Sequence, residues 1–237
     1  MGRRVAYGPA MPWIDVEDTF AASPRAVDVS ADDEWDGELD PDRGWAELVD
    51  VVASEVRIDA HDCSDLSITG SSLRDVTFDV EDQLTAEIWR SNLENSDLSA
   101  IRVSSVRSTT FVGCKFVGTD LAEARLNDVR FERCTFRYTN LRMAKLARVE
   151  FHDCAIDDVD LYDATMEDVG FPLSRITKLN LDRMRATRVD FRDANELELA
   201  AIGRLDGVLV AEDQLPTLSY ALAFSLGLGV ERPLANG

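Results

Sequence analysis

Three cysteines, Cys114, Cys134 and Cys154, stand twenty residues apart, and a fourth, Cys63, lies well upstream. Thiolates brought together bind zinc, and thiols on adjacent strands come close enough for a disulfide. Against both chemistries, the chain holds no Cys-X-X-Cys pair, and the residue twenty beyond Cys154 is Ser174. Buried cysteine also behaves as a small apolar residue, and packing is the reading adopted here. His61 and His152 are isolated in the sequence. No nucleophile–base–acid set, phosphate loop or metal triad is legible, so no enzyme and no cofactor is expected. A second chemistry-bearing group is a run of acids. Asp157, Asp158, Asp160, Asp163, Glu167 and Asp168 fall within residues 154–173, which hold no base. Such a band would bind a cationic partner.

The element that positions these residues is a repeat. Residues 114–133, "CKFVGTDLAEARLNDVRFER", are followed by "CTFRYTNLRMAKLARVEFHD" and then "CAIDDVDLYDATMEDVGFPL". Stacked in twenties, they give columns: Cys114, Cys134, Cys154 and Ser174; Leu121, Leu141, Leu161 and Leu181; Phe111, Phe131, Phe151, Phe171 and Phe191. Fixed periods of this size mark solenoids, in which each unit buries its apolar face against its neighbours. Within each block an apolar or small residue recurs every five positions, from Phe111, Phe116, Leu121 and Leu126 onward to Phe191. Five matches neither the helical period nor a long strand. It matches a three-residue strand followed by a two-residue corner. The central residue and the residue two before it then point inward. Four such faces close a square coil in twenty residues, and coils stack about 4.8 Å apart.

The pentads "TDLAE" (119–123), "TNLRM" (139–143), "VDLYD" (159–163) and "LNLDR" (179–183) carry a resemblance to the pentapeptide-repeat proteins. That resemblance implies an all-β fold, a right-handed quadrilateral parallel β-helix, over about residues 51–210. Asp120, Asn140, Asp160 and Asn180 match the family's polar position before the central residue. Short Asx side chains there are expected to hydrogen-bond the corner backbone.

Upstream, Val56 and Ile58, Leu66 and Ile68, Ser71 and Leu73, Val76 and Phe78, Ala86 and Ile88, Ser91 and Leu93, and Ser96 and Leu98 read as inward pairs. Gln83 breaks the series, so residues 79–87 are expected to bulge or loop. Between Leu98 and Ile101 the phase slips by three, a slip that a bulge, loop or kink must absorb. Residues 1–50 are acidic and are expected to be poorly ordered, with Trp13, Trp35 or Trp45 docking on the first coil. "WAELVDVVASEVRIDA" reads either as a short helix or as the start of coil one. Residues 211–237 form the third segment. Its amphipathic helix is expected to start at Asp213, to stop at Gly227 and to carry a stripe of Leu215, Leu218, Leu222 and Phe224. Such a helix caps the open end of the last coil. It also holds more apolar side chains than one cap needs, which points to a dimer interface.

The formal net charge is −20 over 237 residues. No apolar run reaches the roughly 18 residues of a membrane span. "VAYGPAMPW" after Arg3 and Arg4 lacks a secretory core, so a cytoplasmic location without membrane contact is expected. Some proteins of the resembled family are acidic dimers that imitate B-DNA, occupy the DNA-binding saddle of DNA gyrase and protect it from quinolones. Their C-terminal segments pair two β-helices into a rod. Duplex DNA carries one charge per about 1.7 Å, so seven coils would need nearly 20 negative charges. Residues 61–193 carry only −6, with residues 134–153 at +2, 154–173 at −6 and 174–193 at +3. The alternation reads as charge pairing between stacked coils. A DNA-like face stays open if bases gather on one side and acids on another. The expected function is therefore a non-enzymatic, protein-binding scaffold without direct nucleic-acid contact. The alternatives are a gyrase-directed DNA mimic and a structural protein with no dedicated partner.

Overall fold

A side chain that must point inward every fifth residue forces a corner every fifth residue. In the computed structural model, which describes residues 45–228 except 62 and 82, those corners recur from Asp50 to Arg188 in the left-handed region, with φ between 49° and 60° at the non-glycine positions. The result is a parallel β-solenoid of about eight turns with four faces. Face 1 begins with Trp45–Val49 and continues through Asp65–Thr69 and Thr85–Trp89 into the first halves of Arg102–Val112, Arg125–Glu132 and Lys145–His152. Face 2 begins with Val52–Ser54 and face 3 with Arg57–Asp59. Face 4 is joined by single bridges, such as Asp120 with Asn140 and Asn140 with Asp160. Strand Trp45–Val49 pairs in register with Asp65–Thr69, so the solenoid is already formed six residues ahead of residue 51. The stretch from Trp45 is thus coil one and not a helix. The residues ahead of it, including Trp13 and Trp35, lie outside the described residues.

Columns predicted to face inward do so. Phe111, Phe131, Phe151, Phe171 and Phe191 stack with ring centroids 5.0, 4.9, 5.0 and 4.5 Å apart. Phe116 and Phe136 form a parallel stack on face 3 at 4.7 Å and meet the first stack edge to face, for example 5.1 Å from Phe131 to Phe136 at 84°. Both geometries suit the aromatic quadrupole. Small residues fill the companion column, and the polar ones find partners. Thr119 and Thr139 donate to the carbonyls of Leu98 and Phe116 at 2.8 and 2.7 Å, and Ser174 donates to that of Phe151 at 2.7 Å. A hydroxyl is therefore tolerated inside because an inter-coil carbonyl accepts from it.

At the break in the upstream series, Leu84 takes the inward place and Gln83 is exposed. Thr85 and Ala86 then regain register with Asp65 and Leu66. The phase slip is absorbed within a strand. Ala86 faces Val103, Ile88 faces Val106 and Leu93 faces Phe111, so the offset falls from twenty to seventeen and eighteen. Ser104 is the bulged residue, and Arg102–Val112 runs through it unbroken.

At the far end, the helix Leu215–Ser225 packs against the strand Glu196–Ile202. Asp213 is not its cap; it lies in a short 3-10 turn, Glu212–Gln214. Gln214 organises the start instead. Its Nε2 donates to the carbonyls of Phe191 and Ala194 at 2.7 and 3.3 Å, and its Oε1 accepts from the backbone of Ala211 at 2.8 Å. Gly227, at φ 74°, ends the helix: Gly227 N–H bonds Phe224 and Leu228 N–H bonds Ala223. That pattern needs a residue content with a left-handed backbone, which glycine supplies. No helix of the described residues is long and apolar enough to cross a membrane.

Candidate functional site

The acid band is closed by its neighbours one coil away. Arg137 reaches Asp157 at 3.2 Å, and Thr177 donates to the same carboxylate at 2.9 Å. Lys178 pairs with Asp158, Arg188 with Asp168, and Arg188 also stands 3.4 Å from Glu167. Arg185 meets Asp163 at 2.9 Å. Asp160 accepts from Arg142 at 2.9 Å, from Asn180 at 2.8 Å and from the backbone of Tyr162 at 2.9 Å. The Asp168 hydrogen bond raises the already high pKa of Arg188, and Asp158 does the same for Lys178. The six acids also do not share one surface. Asp157 and Asp158 follow face 3, Asp160 lies on face 4, and Glu167 and Asp168 stand on face 1. They wrap the coil, each against a base.

Asp160 belongs to an alternating column. Asn140 donates to Asp120 at 2.9 Å as Asn180 does to Asp160, while each Asx oxygen also accepts a backbone N–H two residues on, as expected. Alternation spares the column from facing carboxylates, since like charges directly opposite are destabilising. Asn140→Asp removes that donor and stacks three carboxylates. We expect a loss of about 1–2 kcal/mol at pH 7, read by urea unfolding. Mutual repulsion raises the folded-state carboxyl pKa above its unfolded value, so the loss should shrink as pH falls through that raised value.

The cysteine column is packing. All four cysteines are buried and outside any disulfide. The thiols of Cys114, Cys134 and Cys154 point at the carbonyls of Leu93, Phe111 and Phe131, at 3.2 to 3.5 Å. The adjacent Cys134 thiol, with burial, pushes Cys114 far above the usual thiol range; burial first of all pushes Cys134 up to about 12. The unfolded thiol ionises near pH 9.0, so this contribution to stability is complete below pH 9 and is lost as pH rises toward 12. Urea unfolding at pH 7.5 and 10.5 should show a larger alkaline loss for the intact protein than for Cys134→Ser. Equal losses would mean that the thiol is accessible in the native state.

Two features went unread in the sequence. The first is where the uncompensated charge sits. Residues 45–101 hold 13 acids and 3 bases, whereas residues 102–228 hold 20 acids and 17 bases. Glu47, Glu55 and Asp75 are exposed on the first coils with no cation partner among the described residues. Counting by coil from residue 45 would have found them. The second is the C-terminal helix, whose apolar residues surround its axis rather than forming one stripe. Leu218 is buried at 2% exposure and Leu222 packs on the core, but Leu215, Tyr220, Phe224, Leu226 and Leu228 are exposed. Leu215 is thus about half exposed, at 46%, and Phe224 mostly so, at 84%. Elsewhere, a shallow hollow is lined by Glu150, Gly170, Pro172, Asp190, Arg192 and Asp193. Asp190 is held there by Arg192 at 2.7 Å.

A model of the family described as "Pentapeptide repeat region" matches residues 104–181, the span in which the five-residue corners and columns are most regular. Residues 104–181 are a pentapeptide-repeat region. Two solved pentapeptide-repeat structures are similar in outline. HetL, a protein involved in heterocyst differentiation regulation from the cyanobacterium Nostoc sp., is 12% identical, with 70% of this chain and 88% of that one covered and a TM-score of 0.37. Full-length QnrB1, a plasmid-mediated fluoroquinolone resistance protein, is 13% identical, with 75% and 99% covered and a TM-score of 0.29. No curated protein matches the chain. Within this pentapeptide-repeat solenoid no three His, Cys, Asp or Glu side chains among the described residues gather as a metal site.

Proposed function

We propose that this pentapeptide-repeat protein is a non-enzymatic scaffold that binds a basic protein surface through its first three coils. The observation that carries this reading is the contrast along the axis. The acids of the 157–168 band are matched by bases one coil away, and acids outnumber bases 13 to 3 over residues 45–101 but only 20 to 17 over residues 102–228. Glu47, Glu55 and Asp75 upstream are exposed and unmatched among the described residues. Unmatched surface charge steers a partner of opposite sign and sets the association rate. The rigid solenoid holds these groups at fixed spacing, so little ordering entropy is lost on binding.

Pairing of two chains through the exposed side of the C-terminal helix completes the proposal. Phe224 at 84% exposure and Leu226 at 76% form an apolar surface of the kind that a two-fold contact buries.

DNA gyrase is the first partner to test, as the family resemblance implies and as the acidic first coils favour. Purified gyrase is assayed for supercoiling with and without a quinolone. The gyrase reading expects supercoiling to be inhibited, or quinolone-stabilised cleavage to be relieved, at micromolar protein. No change in either sets gyrase aside and leaves the scaffold to a different basic partner.

A further inference from the structure

The outward side chains of face 1 change character along the solenoid axis. Over coils one to six, one column reads Glu47, Ser67, Glu87, Ser105, Arg125 and Lys145, each the register partner of the next. The adjacent column reads Val49, Thr69, Trp89, Arg107, Asn127 and Ala147. Glu47, Glu87, Arg107, Arg125 and Lys145 take part in no ion pair among the described residues. Val49 and Trp89 are large, apolar and exposed. Coils one to three thus present carboxylates and apolar surface, and coils four to six present unpaired cations. Arg90 and Arg102, also outside any ion pair, stand at the boundary.

Such a face is complementary to itself turned end over end. A two-fold axis lying along the strands reverses the order of coils and keeps each column opposite its own copy. Charge decides where the axis falls, because like charges set against each other exclude a register. On coil four the axis would set Arg107 against Arg107, and on coil three it would set Glu87 against Glu87. Between coils four and five it would gather Arg107 and Arg125 of both copies. Between coils three and four, Glu47 meets Lys145 of the second copy, and Arg125 lies opposite Ser67 with Glu47 and Glu87 on either side. Trp89 then meets the Arg107 guanidinium, a cation–π contact, and the exposed Trp45 meets the exposed Met143. Arg102 faces Thr85 and Arg90 faces Ser108. The like-signed pair is Asp65 with Glu123, at the rim.

We propose that two copies of this chain pair antiparallel through face 1, about an axis between coils three and four. The contact is separate from the C-terminal helix. It uses Glu47 but leaves Glu55 and Asp75, on the corner between faces 2 and 3, to a partner protein. Six coils of one face span about 29 Å. That footprint is small, so the pairing is weak, with a dissociation constant on the order of 0.1–1 mM.

The test uses the full chain carrying Phe224→Asp, so that the C-terminal helix cannot hold the copies together. Sedimentation equilibrium at about 0.1 M salt should show the mass rising from one chain toward two as protein approaches about 500 micromolar, and the rise should recede near 1 M salt, where the screening length is about 3 Å. Glu47→Lys and Lys145→Glu should each keep the mass near one chain. An equimolar mixture of the two should associate again, because every charge then meets its opposite in the mixed pair. A short bis-maleimide should join a chain with Val49→Cys to one with Ala147→Cys, since the native thiols are buried, and should not join it to one with Val117→Cys on face 3. A single-chain mass throughout overturns the proposal. So does association that ignores both charge reversals, that the mixture fails to restore, or that links Val49→Cys to Val117→Cys as readily as to Ala147→Cys.

Discussion

Phe151→Ala is expected to destabilise the protein by about 3–5 kcal/mol, the usual cost of an aromatic core cavity. The side chain is 3% exposed and lies 4.9 Å from the Phe131 ring and 5.0 Å from the Phe171 ring. It also meets Phe136 edge-on at 5.4 Å. Its neighbours are fixed by the inter-coil ladder and cannot collapse into the space, which places the cost toward the upper end. Asp163→Ala is the control. It removes one partly exposed ion pair with Arg185 and places alanine at a corner of φ 55°. We expect that to cost about 1 kcal/mol or less. Urea unfolding of both variants checks the pair. Equal shifts would mean that the five-residue phase has been misassigned and that Phe151 is not a core residue.

Phe224→Asp is expected to turn a dimer into a folded monomer. Light scattering on the intact chain at tens of micromolar should give twice the chain mass, and the variant should give one. Its melting temperature as a monomer should match that of the dissociated intact chain, because Phe224 is 84% exposed. Leu218→Asp separates cap from interface. It places a charge where 2% of the residue is exposed, and it should destabilise the last coil itself. A monomeric mass for the intact protein would sink the dimer.

The solenoid was legible because an inward residue cannot be polar and unsatisfied. That single restriction writes the columns of phenylalanine, leucine and small residues into the sequence every five positions. The Asp120, Asn140, Asp160 and Asn180 column was legible for a related reason, since each serves its own corner backbone. What escaped were the places where a different residue could meet the same need. Leu84 fills the inside in place of Gln83 because burial acts on the side chain, not on the count. Gln214 organises the helix start in place of Asp213, because its longer side chain reaches the open carbonyls of Phe191 and Ala194.

The surface was half legible. Partners such as Arg137 and Asp157, Asp128 and Arg148, and Asp158 and Lys178 are twenty residues apart. The square coil therefore turns sequence offset into contact, and internal pairing of the band was readable. Glu47, Glu55 and Asp75 escape a reading that starts the first coil at residue 51 and sums charge over many coils at once, because a block sum does not show which carboxylate lacks a base one coil away. That the C-terminal helix has more apolar side chains than its cap can bury was legible; which of them stay outside, Phe224 among them, was not, because a helix apolar on all sides buries only the side that meets the coil.

The claim that the first coils are the binding surface is tested most directly by comparing which proteins three versions of the full chain retain from the same lysate. The versions are the intact protein, Glu47→Gln/Glu55→Gln/Asp75→Asn, and Asp157→Asn/Asp158→Asn. The account predicts a basic protein held by the first and third and reduced at least tenfold on the second, with the loss reproduced when the purified partner is titrated. Retention that is the same on all three, or lost only with Asp157→Asn/Asp158→Asn, would contradict it.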